Sequence, residues 1–201
     1  IISLIAVGIS GAAFAGNIDV TDDIVTSETW TADNVYNLTS QIYVRPGATL
    51  TIQAGTKIVS TATANGSGAL CVANGGQLFV NGDSKAPVVM TSNLDDGTWR
   101  ASCNEWGNLT ICGDAYIGFD GVTNAGGFPG NTLSPSASNE ANMEGLVEEA
   151  GNPTLNNYGG GDDNYDAGSI SYLSIRYGGR VVGLSNCLLY TSDAADESRG
   201  V

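Results

Sequence analysis

A nine-residue phrase occurs twice in this chain, 28 residues apart. Val44-Arg45-Pro46-Gly47-Ala48-Thr49-Leu50-Thr51-Ile52 returns as Val72-Ala73-Asn74-Gly75-Gly76-Gln77-Leu78-Phe79-Val80. Val44 and Val72, Gly47 and Gly75, Leu50 and Leu78, and Ile52 and Val80 fall in register. A glycine turn leading into a short alternating strand, repeated at fixed spacing, describes one supersecondary unit that buries its apolar face against the next copy. Leu50 and Ile52 share one parity along the strand, as do Leu78 and Val80, so these four side chains are expected to point inward.

Short strand-like segments crowd the region around the repeat: Gln41–Val44, Thr49–Ile52, Thr56–Val59, Ala69–Val72, Gln77–Val80 and Val88–Thr91. Each is rich in Val, Ile, Thr or Leu, and Gly, Asn or Pro separates them. Gly107–Ile111 reads as a weaker copy of Gly76–Val80, and Ile170–Ile175 as a further strand. The chain carries 28 Gly and only 14% charged residues, which also argues for strands and turns over helices. The expected fold is an all-β, right-handed parallel β-helix; an antiparallel sandwich or jelly roll is the competing architecture. Asp19–Asn37 is polar and acidic, and residues 16–40 are expected to cap the first coil. Residues 41–186 are expected to form coils, interrupted by an insertion over 119–168 that is long for a loop. Within it, Met143, Leu146 and Val147 among Glu140, Glu144, Glu148 and Glu149 suggest a short amphipathic helix.

The first fifteen residues are apolar and end in Ala13-Phe14-Ala15, a small-residue cleavage pattern. Residues 1–15 therefore read as an export signal too short to span a membrane comfortably. No initiating Met or basic stretch precedes them, so the signal is read as truncated. The mature chain is expected outside the cell or on the bacterial outer surface, with no stable membrane span. A net charge of −14 disfavours nucleic acid and anionic membrane as partners. The chain has no histidine, which excludes Ser-His-Asp and Cys-His catalysis and any histidine-ligated metal within it.

Several segments share a family likeness. Val44-x-Pro-Gly-Ala-Thr-Leu-Thr-Ile-x-Ala-Gly-Thr56, Gly75-Gly76-Gln77-Leu78, Ala86-Pro87-Val88-Val89, Trp106-Gly107 and Ser174-Ile175-Arg176-Tyr177-Gly178-Gly179 resemble large exported bacterial β-helix proteins of the cell-surface type. The likeness covers roughly residues 40–186. It implies the solenoid fold and carries over no reaction. Proteins of that type continue with further coils after the Tyr-Gly-Gly segment, so the chain is expected to be a fragment. From Cys187 the pattern breaks into Cys-Leu-Leu-Tyr-Thr-Ser-Asp-Ala-Ala-Asp-Glu, which resembles an ending translated from a sequencing-library adapter. Residues 187–201 are accordingly read as a non-native tail.

Four groups of residues could carry chemistry. Asp162, Asp163, Asn164 and Asp166 follow a glycine run and could converge on a calcium ion, although the spacing is not that of an EF-hand. Trp99, Trp106 and Tyr116 could offer aromatic surface to a sugar ring. Cys103 and Cys112 could close a disulfide loop around Trp106, while Cys71 reads as a packed strand residue. Arg176 and Arg180 could neutralise a uronate if the acidic cluster supplied the base beside them. The functional expectation is an exported surface or interaction module that binds glycan or adheres. A calcium-assisted polysaccharide lyase is the alternative, and it requires those arginines and aspartates to share one groove.

Overall fold

The computed structural model describes residues 16–64, 66–117, 140–143, 145–147, 149–182 and 186–188. The expected leader, most of the expected tail, Phe119, Phe128, Glu144 and Glu148 lie outside these residues.

The chain winds through three sheets in turn. It opens with β1 (Gly16–Val20) and β2 (Glu28–Trp30). The second coil is β3 (Asn34–Leu38), β4 (Gln41–Val44) and β5 (Thr49–Gln53). The third is β6 (Lys57–Ser60), β7 (Ala69–Val72) and β8 (Gln77–Asn81), and the fourth starts with β9 (Val88–Ser92) and β10 (Leu109–Ile111). A strand pair, β11 (Glu140–Asn142) and β12 (Asn157–Gly159), intervenes before β13 (Gly168–Ser171) completes that coil. β14 (Leu173–Ile175) begins a fifth, and β15 (Arg180–Val182) and β16 (Asn186–Leu188) follow. One sheet runs β1-β3-β6-β9-β14, a second β10-β7-β4 and a third β13-β8-β5-β2. Every pairing within these three sheets is parallel. The chain is an all-β parallel β-helix, and the antiparallel sandwich falls; among the described residues antiparallel pairing is found in β11–β12, in β15–β16 and in the isolated bridge Glu149–Asn152.

The repeat explains the core. Gly47 and Gly75 both take positive φ, 83° and 90°, and the Gly47 N–H donates to the Gly75 carbonyl at 2.8 Å. Each turn thus delivers its strand at the same height on the next coil. Leu50 stands on Leu78 and Ile52 on Val80, while Val44 stands on Val72 and Ile42 on Leu70. All eight are sealed from solvent. Each such side chain contributes about 1.5–3 kcal/mol by burial. Trp30 and Tyr36 stack in the upper core, with centroids 4.5 Å apart and planes 10° off parallel.

Within residues 16–40, expected to cap the first coil, β1 and β3 lie in the first sheet and β2 in the third, with Ile18 in register with Tyr36 and Trp30 with Ile52. Three expectations need correction. β10 lies on β7 and not on β8: Leu109 stands opposite Leu70, so the loop from Asn93 to Asn108 returns the chain to the second sheet. The segment Ile170–Ile175 is two strands, split where Tyr172 takes φ 47° and turns the chain from the third sheet to the first. Among the described residues near Met143 the expected helix is not formed; Gly145 and Gly151, at φ 91° and 89°, break the backbone there.

Candidate functional site

The loop between β9 and β10 carries the densest set of charged contacts at the rim of the five-stranded sheet. Its entry is a tight turn. The Gly97 N–H donates to Asp95 Oδ1 at 2.9 Å and the Thr91 hydroxyl to Asp95 Oδ2 at 2.8 Å. Arg176, at the end of β14, reaches the same carboxylate at 3.4 Å. Burial alone would raise the Asp95 pKa, but the Gly97 and Thr91 hydrogen bonds, with Arg176, hold it below the usual carboxylate value.

Glu105 sits deeper. Arg100 grips it with both guanidinium ends, one bond measuring 2.6 Å, and the Ser102 hydroxyl also donates to it. The hydrogen bond from Arg100 is the chief cause that lowers the Glu105 pKa to about 2, with Ser102 and Ser92 assisting against desolvation. The Arg100 guanidinium lies 4.2 Å above the Tyr177 ring, and the Tyr177 hydroxyl donates to the Thr98 carbonyl at 3.1 Å. Between Thr98 and Arg100, Trp99 is 86% exposed.

The three aromatics expected to bind sugar therefore part company. Trp99 is open to solvent, but Trp106 is 1% exposed and belongs to the core. Its indole N–H donates to the Arg176 carbonyl at 2.7 Å, and its backbone bridges Gly178. Trp106 anchors the fifth coil and cannot stack on a ligand. Tyr116 is half-buried, and its N–H donates to Asp163.

The acidic loop serves its own backbone. Asp162 accepts from the Asn164 N–H at 2.9 Å, Asp163 from the Tyr116 N–H at 3.0 Å, and Asp166 from the Gly168 N–H at 2.8 Å. Among the described residues no three acidic or cysteine side chains gather as a metal site would require. Tyr165 pins this loop to the repeat turn, accepting from the Gly75 N–H and donating to the Gly76 carbonyl at 2.6 Å. The two arginines proposed for lyase chemistry face elsewhere: Arg176 toward Asp95, and Arg180 toward Gln41 at 3.4 Å. They share no contact with Asp162, Asp163 or Asp166 among the described hydrogen bonds and ion pairs.

The outer face of the second sheet is covered by the segment around Leu146 and Leu155, which packs on Tyr43, Ala69 and Cys71. Gln41 holds that segment at two points, donating to the Val147 carbonyl and accepting from its N–H, both at 2.9 Å. Arg45 bridges Asp23 and Glu149. Burial pushes the Cys71 thiol and the Tyr43 phenol strongly upward, and raises Cys112 to about 11. The expected Cys103–Cys112 disulfide is not formed. Cys103 lies exposed on the loop, Cys112 is buried just after β10, and both are free. The strand β10 carries Cys112 onto Val72 of the second sheet, away from the loop's surface.

Sequence reasoning did not find Arg100, Glu105, Tyr177 or Gln41. Glu105 and Arg100 are single charges in a turn-rich stretch, and nothing in their spacing announces a bidentate pair. A family model described as a pectate-lyase-like β-helix domain matches residues 22–186, and the chain belongs to that family. No curated protein and no solved structure matches it.

Proposed function

We propose that this member of the pectate-lyase-like β-helix family is an exported surface module that binds carbohydrate without cleaving it, and that the β9–β10 loop is its contact face. The carrying observation is Trp99, a fully presented indole beside the Arg100–Tyr177 stack and the half-exposed Arg176. An aromatic face next to guanidinium groups suits the apolar side of a sugar ring and the carboxylate of a uronate. The neighbouring acids support binding over cleavage. Glu105 and Asp95 are engaged by arginine and held ionised at low pH, whereas a useful general acid or base titrates near the working pH. Binding is also favoured because, among the described residues, Arg176 and Arg180 make no hydrogen bond or ion pair with Asp162, Asp163 or Asp166.

A glycan array of neutral and acidic polysaccharides, read with and without chelator, tests this. Binding of an acidic glycan that persists in chelator and falls roughly tenfold or more in Trp99→Ala is the expected result. Release of unsaturated sugar ends from any bound polymer would replace the module with a lyase.

A further inference from the structure

We propose that Tyr177 is the positioning residue of the contact face, a side chain from the fifth coil that fixes how Trp99 is presented. That role rests on the β9–β10 loop being the carbohydrate contact face. Trp99 has nothing of its own to hold it: it is 86% exposed, and among the described residues its indole makes no hydrogen bond or ring contact. Its placement therefore follows from its two neighbours in the chain, and both meet Tyr177. The Tyr177 hydroxyl donates to the Thr98 carbonyl at 3.1 Å, and the Arg100 guanidinium lies 4.2 Å from the centre of the Tyr177 ring. Thr98 otherwise bonds Asp96, and Arg100 bonds Glu105, both within the same loop. Among the described residues, every hydrogen bond or ring contact that ties residues 98–100 to another coil thus runs to Tyr177.

The backbone shows why one residue reaches both sides. Residues 176–179 pair with the base of the loop. The Glu105 N–H donates to the Tyr177 carbonyl at 3.1 Å, the Asn104 N–H to the Gly178 carbonyl at 3.2 Å, and the Gly179 N–H to the Trp106 carbonyl at 2.8 Å. The approach is so close that a Cβ on Gly178 would fall 1.5 Å from Asn108 Oδ1. Tyr177 sits in this clamp at φ 56°, a left-handed conformation that glycine takes freely and a bulky aromatic rarely takes. The next two positions in the chain are glycine, and this one is tyrosine. Backbone pairing alone does not need that side chain. What it adds is reach from the base of the loop to its tip, where hydroxyl and ring face engage different residues. A backbone outlier held in place beside a binding surface is the pattern of a preorganised site. Ordering Trp99 in advance reduces the entropy lost when a ligand docks on it.

Fluorine NMR of the full chain labelled with fluorotryptophan reads this role without any ligand. Trp99→Phe assigns the Trp99 line, and the buried Trp30 and Trp106 report on the fold. Tyr177→Phe removes the bond to Thr98 and keeps the ring under Arg100, whereas Tyr177→Ala removes both. Tyr177→Phe should narrow the Trp99 line and Tyr177→Ala should narrow it further, each toward its width in denaturant, while Trp30 and Trp106 keep theirs. Tyr177→Gly, which relieves the left-handed backbone, should loosen Trp99 as much as Tyr177→Ala and unfold at a temperature no lower than that variant. An unmoved Trp99 line in Tyr177→Ala, or equal narrowing of all three lines, would overturn the positioning role. Should Tyr177→Ala fail to fold, Tyr177→Phe decides by the same readout. Binding of polygalacturonate, a uronate homopolymer, should weaken roughly three- to tenfold in Tyr177→Ala. The positioning role and the carbohydrate reading fail separately. A narrowed Trp99 line in a chain that binds no glycan upholds the first and overturns the second. Polygalacturonate binding that is unchanged in Tyr177→Ala overturns the first and leaves the second standing.

Discussion

Leu50 stands directly on Leu78 across one coil spacing, and both are sealed from solvent. The pair is the repeated phrase turned into packing. Replacing Leu78 by Ala would leave a void between Leu50 above and Gly168 below. Leu78→Ala should lose about 2–5 kcal/mol of unfolding free energy in a denaturant titration. Thr51→Ala, one residue along from Leu50 on the outward parity, should change it by about 0.5 kcal/mol or less. Similar losses at both positions would mean the strand does not alternate between core and solvent.

The turns that precede these strands can be separated from the packing itself. Gly47 has φ 83° and open space where a side chain would go, so Gly47→Ala reports backbone strain alone, about 1 kcal/mol. Gly168 has φ 113°, and an added Cβ would come within 1.9 Å of the Leu78 carbonyl oxygen. Gly168→Ala should therefore cost about 3 kcal/mol or more, from strain and displacement of β13 together. Thermal unfolding of the two variants side by side should rank them in that order.

Those strands and turns were legible because each is a local pattern: alternation sets parity, and glycine sets the turn. Six strand positions between Gln41 and Ser92 follow the sequence reading to within a residue at either end. What local pattern cannot carry is where a chain lands after an excursion. Gly107–Ile111 matches β8 in residue type, yet the loop before it delivers β10 to β7, and the two sites differ in no property of the strand itself. Trp99 and Trp106 illustrate the same limit at the site. Both are tryptophans in a turn-rich stretch, and only the bridge from Trp106 to Gly178 decides which one is buried. The Arg100–Glu105 pair was invisible for the same reason, since the Tyr177 ring under Arg100 comes from the next coil and the pairing itself follows from how the loop folds back on Ser92.

That pair has a pH signature. The folded pKa of Glu105 is depressed, from 4.5 to about 2, so its contribution to stability is full above the unfolded value. It declines as pH falls from about 4.5 toward about 2 and is gone below that. Partial exposure of Arg100 screens the pair, so its contribution at neutral pH is smaller than the pKa depression alone would give. Glu105→Gln should therefore lower the melting temperature at pH 7 and converge with the unmodified chain near pH 2. Parallel melting curves of constant separation across that range would show that the carboxylate's charge contributes nothing.

The cover over the second sheet makes the cysteines report on its closure. Of Cys71, Cys103 and Cys112, only Cys103 is exposed, and burial keeps the other two thiols protonated at neutral pH. A maleimide added to the native chain should label Cys103 rapidly and leave Cys71 and Cys112 unmodified until denaturant is added, with peptide mass analysis assigning the sites. Gln41→Ala removes both hydrogen bonds to Val147 while leaving the inward stack of β4 untouched. The segment carrying Leu146 and Leu155 should then lift more often, and Cys71 beneath it should label faster by roughly tenfold, the equivalent of about 1.4 kcal/mol in the opening equilibrium. Unchanged Cys71 labelling in a folded Gln41→Ala chain would mean that apolar packing, and not the Gln41 clamp, holds the cover in place.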